Sequence, residues 1–129
     1  MRIGFTGSRN GITNEQRESI IQFLDKNKDT EFEAHHGDCI GADTDFHNIC
    51  SKYEKCKIYI HPPNINTMRS YCKSDNIFQP KPYITRNHDI VDSCDVLLAC
   101  PSEKTEQLRS GTWATIRYAR KINKPVLIY

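Results

Sequence analysis

Residues 2–16, RIGFTGSRNGITNEQ, read as a strand, a turn and the start of a helix. Arg2 to Phe5 is the strand, and Thr6-Gly7-Ser8-Arg9-Asn10-Gly11 has the small and polar residues of a tight turn. Thr13 with Gln16 three residues on is a capping-box pattern, so a helix opens there. Ile20, Ile21, Phe23 and Leu24 supply its buried stripe.

The same alternation continues along the chain. A second strand is expected near Glu31 to His35, and a helix follows Gly37 to Asp43 with Ala42, Phe46, Ile49, Cys50 and Tyr53 at helical spacing. Lys57 to Ile60 reads as a third strand, stopped by His61-Pro62-Pro63 because proline cannot donate to the ladder. From Asn64 to Pro82 no element is predicted. Tyr83, Asn87, Ile90, Val91 and Cys94 then share one face of a helix, and Asp95 to Ala99 is an apolar run of buried-strand length. Gly111-Thr112 opens a helix with Thr115, Ile116 and Ala119 inward, and Pro125 to Tyr129 forms the last strand. This pattern predicts one domain over residues 1–129, a three-layer α/β fold with a five-stranded parallel sheet in the order 3-2-1-4-5.

Composition agrees with a folded domain. The chain has 129 residues, 37% hydrophobic and 26% charged, and no apolar run long enough to span a bilayer. It opens with one basic residue and then Gly and polar residues, unlike a signal or transit peptide, so a cytoplasmic location is expected. The six cysteines include no CxxC pair, and without a secretory signal they read as reduced thiols. A net charge of +2 argues for no broad nucleic-acid surface.

In a parallel sheet of this kind all strand-to-helix loops leave from one edge, where ligands bind. That edge gathers Thr6 to Asn10, His36 to Asp43, His61 to Met68 and Pro101 to Thr112. In the first loop, Gly7 lets backbone amides approach an anion, Ser8 brings a hydroxyl and Arg9 a fixed cation; a plain turn with a solvated arginine reads equally well. Ser110, Gly111 and Thr112 begin a helix whose free amides favour an anion or simply accept a cap. In HHGDCIGAD (35–43), Asp43 can accept from ribose hydroxyls or complement the helix dipole. A metal site lacks a recognisable ligand spacing there, and nothing local marks Cys39 as a thiolate nucleophile. Arg86 reads as a surface cation or a site residue, and Asn87, among apolar neighbours, needs a partner.

Taken in order, GFTGSR (4–9), HHGDCIGAD (35–43), Arg86-Asn87 with IVDSCDVLLACP (90–101), and SGTWATIRYARKINKPV (110–126) resemble the SLOG superfamily. The resemblance covers the chain except about residues 64–82. It implies a Rossmann-like binder of nucleotides or nucleotide derivatives, in a superfamily that includes Lonely Guy phosphoribohydrolases, DprA single-strand DNA-binding proteins and ligand-sensing domains. Lonely Guy enzymes carry PGGxGTxxE with a catalytic Glu; this chain has LRSGTWAT, with Thr115 in that place. Arg86 resembles their catalytic Arg, so a phosphate or ribose contact is implied more directly than hydrolysis.

The expected ligand site is Thr6, Gly7, Ser8, Arg9, Gly37, Asp38, Asp43, His61, Arg86, Asn87, Ser110, Gly111 and Thr112. No residue is assigned as catalytic, and no cofactor or metal is expected. The leading expectation is binding of a nucleotide or ADP-ribose-like ligand, as a sensor or a sequestering protein. The alternative is an N-glycosidic hydrolase using Asp38 or Asp43. Single-strand DNA binding ranks last, since only scattered Arg69, Tyr71, Arg86 and Trp113 could form a track. No membrane partner is expected. A homo-oligomer is, through the region of Trp113 and Tyr118, since the resemblance implies dimers.

Overall fold

Ile3 and Phe5 alternate with Gly4 along β1 (Arg2–Gly7), and this period of two directs the bulky pair to one face and the glycine to the other. In the computed structural model, which describes residues 1–129, β1 is central. It pairs in parallel with β2 (Phe32–His36) and β5 (Val96–Cys100). Beyond β2 lies β3 (Cys56–Ile60), and beyond β5 lies β6 (Val126–Ile128).

With β4 (Asn76–Ile77) beyond β3, the sheet has six strands in the order β4-β3-β2-β1-β5-β6, which corrects the expected five-stranded sheet in the order 3-2-1-4-5. The additional strand, β4, lies in the stretch where no element was predicted, as does a 3-10 turn at Asn66–Met68. Two residues are too few to show alternation. Instead, β4 is held by register with Tyr59 and Ile60 and by Ser74, whose hydroxyl donates to the Ile58 carbonyl and accepts from the Asn76 amide at 3.0 Å.

Two helices pack on each face. α1 (Asn14–Asp25) and α2 (Ala42–Cys50) cover Ile3, Phe5, Phe32 and Ala34, with Phe5 stacked on Phe46 at 4.3 Å. The predicted capping box is present: Thr13 accepts from the Gln16 amide at 3.1 Å, and Gln16 accepts from the Thr13 amide at 2.9 Å. α3 (Tyr83–Ser93) and α4 (Gly111–Lys121) cover the other face. There Gly4 lets Cys94 and Ile90 approach, and Trp113 packs with Ala99 and Ile116. α2 ends at Cys50, so Tyr53 falls in the following turn, set edge-on to Phe32 with its hydroxyl donating to Asp25 at 2.7 Å.

Gly41 joins the first two loops. Its φ is +108°, and a Cβ there would lie 2.3 Å from the Arg9 carbonyl oxygen, while the next amide, of Ala42, donates to the Ser8 carbonyl at 2.9 Å. Backbone cannot yield as a flexible side-chain tip can. Gly41→Ala is expected to cost about 2–3 kcal/mol from left-handed strain and overpacking. A lower urea midpoint at constant m-value checks this, and an unchanged midpoint contradicts it.

Candidate functional site

A cavity of about 660 Å³ opens at the carboxyl ends of the central strands. Of the residues expected at the site, Thr6, Gly7, Ser8, Arg9, Gly37, Asp43, Arg86, Asn87, Ser110, Gly111 and Thr112 line it, joined by Cys39, Ile40, Tyr83, Ser102, Glu103 and Arg109. Asp38 and His61 lie outside its walls, and so does the rest of the predicted His61 to Met68 loop.

Arg86 forms the floor. Its guanidinium is not a surface cation but 4% exposed, beneath the loop at Gly37. Nη1 donates to the carbonyls of Gly37 at 2.5 Å and His61 at 3.2 Å, and Nε donates to Asn87 Oδ1 at 2.8 Å. Asn87 thus has the partner its position demanded. Tyr83 closes the other side, with the Arg86 guanidinium carbon 5.2 Å from the ring centre. A buried cation with several fixed acceptors is pre-organised and offers its electrostatic field rather than a swinging side chain.

Asp43 sits beside this charge in the first turn of α2, buried, accepting from the Cys39 amide at 3.1 Å. Burial pushes its carboxyl up to about 6 against the opposing pull of Arg86. The Cys39 thiol is also pushed up, by burial first and the nearby Asp43 second, which leaves a thiol rather than a reactive thiolate.

Asp38 has a structural position instead. It is fully buried at φ +56°, its carboxylate accepting from Arg69 Nε at 2.9 Å and the Cys72 amide at 2.9 Å, and its carbonyl from the Ser70 amide at 2.8 Å. It clamps the segment after the 3-10 turn to the end of β2. His61 reaches the cavity only indirectly, through the carbonyl that holds Arg86. Its ring lies 2.9 Å from His35, which lies 2.9 Å from Glu33. With Glu33 accepting, neutral His35 carries its proton on Nε2 and accepts from His61 on Nδ1. Burial pushes His61 down to about 4.

At the opposite wall, Ser110 Oγ accepts from the Trp113 amide at 3.2 Å and caps α4. A Cβ on Gly111 would meet nothing within 4 Å, so the backbone at this helix start is open to the cavity. Thr115 is 2% exposed and its hydroxyl donates to the Gly111 carbonyl at 2.9 Å, turned back into its own helix. Arg9 and Arg109 both line the cavity, and neither belongs to any of the ion pairs in the molecule. Trp113 is 4% exposed within the core and provides no outer contact, while Tyr118 stacks on His88 and donates to Asp92 at 2.7 Å. This removes Trp113 from the surface expected to carry an oligomer or a DNA strand. No helix is long and apolar enough to cross a membrane.

No family model matches the sequence, and no curated protein matches it. Solved structures do match. The molybdenum cofactor binding protein from the phototrophic bacterium Rippkaea orientalis superposes with a TM-score of 0.74 at 21% identity, over 98% of this chain and 74% of its own. The Moco carrier protein from Chlamydomonas reinhardtii gives 0.64 at 18% identity, over 98% and 74%. DNA processing protein A from Helicobacter pylori, described for its single-stranded DNA binding mode, gives 0.64 at 16% identity, over 99% and 64%. Likeness at these identities is likeness of fold: the chain has a Rossmann-like α/β fold with an all-parallel sheet.

Proposed function

We propose that this protein binds a nucleotide or nucleotide-derived ligand, ADP-ribose-like in chemistry, in the carboxyl-edge cavity, as a sensor or a sequestering protein. The observation that carries the reading is the pairing of opposite demands in one cavity. Two unpaired guanidiniums, Arg9 and Arg109, share the cavity with the open start of α4, while the buried Asp43 carboxyl lies beside Arg86. The first group suits a phosphate and the second suits ribose hydroxyls, which donate to a carboxylate. Proteins of this fold that bind the molybdenum cofactor and single-stranded DNA support ligand capture on the same scaffold.

Calorimetry with AMP and ADP-ribose tests the proposal. Arg9→Ala is expected to weaken binding by about 1.5–3 kcal/mol, the range for a charge-assisted hydrogen bond, with the fold retained. Asp43→Asn is expected to weaken it by about 1–3 kcal/mol through loss of the hydroxyl acceptor. Absence of binding by either nucleotide sinks the reading, and an unchanged Arg9→Ala removes that residue from the site.

A second reading is favoured by one feature, the Asp43 carboxyl at about 6. A carboxyl titrating near neutrality suits proton transfer at a glycosidic bond. Incubation with nucleoside monophosphates separates the two: steady base release by wild type and none by Asp43→Asn marks a hydrolase, whereas stoichiometric binding without product marks a binder. Asp38, already engaged by Arg69 and Cys72, is left out of this chemistry.

A further inference from the structure

The connection from β5 to α4 runs from Pro101 to Ser110, whereas about two to six residues commonly join a strand to its helix. Both ends are fixed. The Gln16 side chain donates to the Pro101 carbonyl at 3.1 Å, and Ser110 caps α4. Between them Ser102 to Arg109 is exposed throughout, and the one backbone–backbone bond touching the stretch is the turn from the Ser110 amide to the Gln107 carbonyl at 3.3 Å.

Side chains hold this loop in place. Arg117, on α4, donates to the Glu106 carboxylate at 3.0 Å and to the carbonyls of Gln107 at 3.4 Å and Leu108 at 3.2 Å. At the other end the Ser102 hydroxyl donates to that of Ser8, a cavity residue. Leu108 is 87% exposed, with no apolar neighbour to cover it, although the next residue, Arg109, already lines the cavity. Ile40, on the cavity wall, is a second apolar side chain left in solvent, 52% exposed.

A segment with fixed ends, almost no backbone bonds and an unburied leucine has little to lose by moving inward and apolar surface to hide by doing so. We propose that Ser102–Arg109 is a lid that closes over the ligand, with Arg117 latching the open form and Leu108 sealing the closed one against Ile40. The proposal rests on the cavity being the ligand site. Closure brings Arg109 onto the anion and shields it from water, which strengthens the contact.

Limited trypsin digestion reads both halves of the proposal, because cleavage after Lys104 or Arg109 falls within the lid. Without any ligand, Arg117→Ala is expected to raise cleavage at Lys104 and Arg109 by about tenfold over wild type, since loss of the Arg117 bonds frees the loop backbone and the population of its locally unfolded form sets the rate. An equal rate overturns the latch and with it the proposal. With AMP or ADP-ribose at saturation, wild type is expected to be cut about tenfold more slowly in the lid, and Leu108→Asp is expected to lose that protection. Calorimetry run beside the digestion keeps the two readings apart. Binding without protection overturns the lid and leaves the ligand site standing, whereas no binding overturns the ligand site while the Arg117→Ala comparison still decides the latch.

Discussion

Arg86→Ala is expected to destabilise the protein by about 3–5 kcal/mol, the range for removing one partner from a buried charged network. The mutation deletes the donor to the Gly37 and His61 carbonyls and to Asn87 Oδ1, and leaves these acceptors in a place too buried for full solvation. It also removes the positive charge that restrains Asp43, whose carboxyl then rises further above about 6. Against a typical total of about 5–15 kcal/mol, such a loss leaves a domain barely folded. Arg86→Lys is expected to recover a minor part, because one ammonium cannot span the fork of acceptors that a guanidinium meets. Urea unfolding followed through Trp113, the single tryptophan, measures both variants. A loss below about 1 kcal/mol for the alanine variant would show that the loop carbonyls find other donors.

Acid is expected to unfold the protein through its histidines. Burial holds His36 well below its ordinary value, lowers His35 and His47, and brings His61 to about 4. The unfolded chain takes up these protons near pH 6.5, before the folded one does, so stability is complete above pH 6.5 and is lost as pH falls toward 4. At about 1.4 kcal/mol per pH unit and proton, His61 alone accounts for about 3 kcal/mol over that window. Asp43 works in the opposite direction. Its folded carboxyl, near 6, holds a proton that the unfolded one releases near 3.8, so its contribution is present at low pH and lost as pH rises through 6. Four histidines against one aspartate leave a net loss on acidification. Unfolding free energies from urea titrations at pH 7.5 and 4.5 are expected to differ by about 3–5 kcal/mol in wild type, and by more in Asp43→Asn, which lacks the offset. A flat profile across that interval rules the account out.

The main elements were legible because their signals are local. The capping box at Thr13, the apolar run before Cys100 and the helix stripes at Ile20 and Ile90 each declare themselves within a few residues. Relative strand order among the long strands followed from right-handed crossovers. β4 was not legible, because register and one serine hydroxyl hold it. Within the site, the loops that meet at the sheet edge could be named, but side-chain direction could not. Asp38 and Asp43 stand five residues apart in one polar loop, and a left-handed backbone at Asp38 sends that carboxylate to Arg69, away from the cavity. Arg86 was expected at the site, but its burial was not legible, because the carbonyls that hold it come from Gly37 and His61, far from it in sequence. Arg109 lay in a loop expected at the edge and Tyr83 on a helix face, but neither was named as a site residue, since their place on the cavity wall is a property of the assembled fold.

The central position of β1 also governs how the chain reaches its native state. Its edge toward β5 is completed by partners from far along the sequence; the Arg2 amide donates to Asp95, 93 residues away, at 2.8 Å. Loop-closure entropy has to be overcome before such a pairing returns any enthalpy, so high contact order places this domain among slow folders, on the millisecond-to-second scale. β1, β2 and β3 can associate early as a right-handed unit with α1 and α2, burying Phe5 on Phe46 while one side of β1 stays open. The cavity walls contributed by Gly37 on one half and Gly111 on the other therefore face each other only when both halves of the sheet are in place.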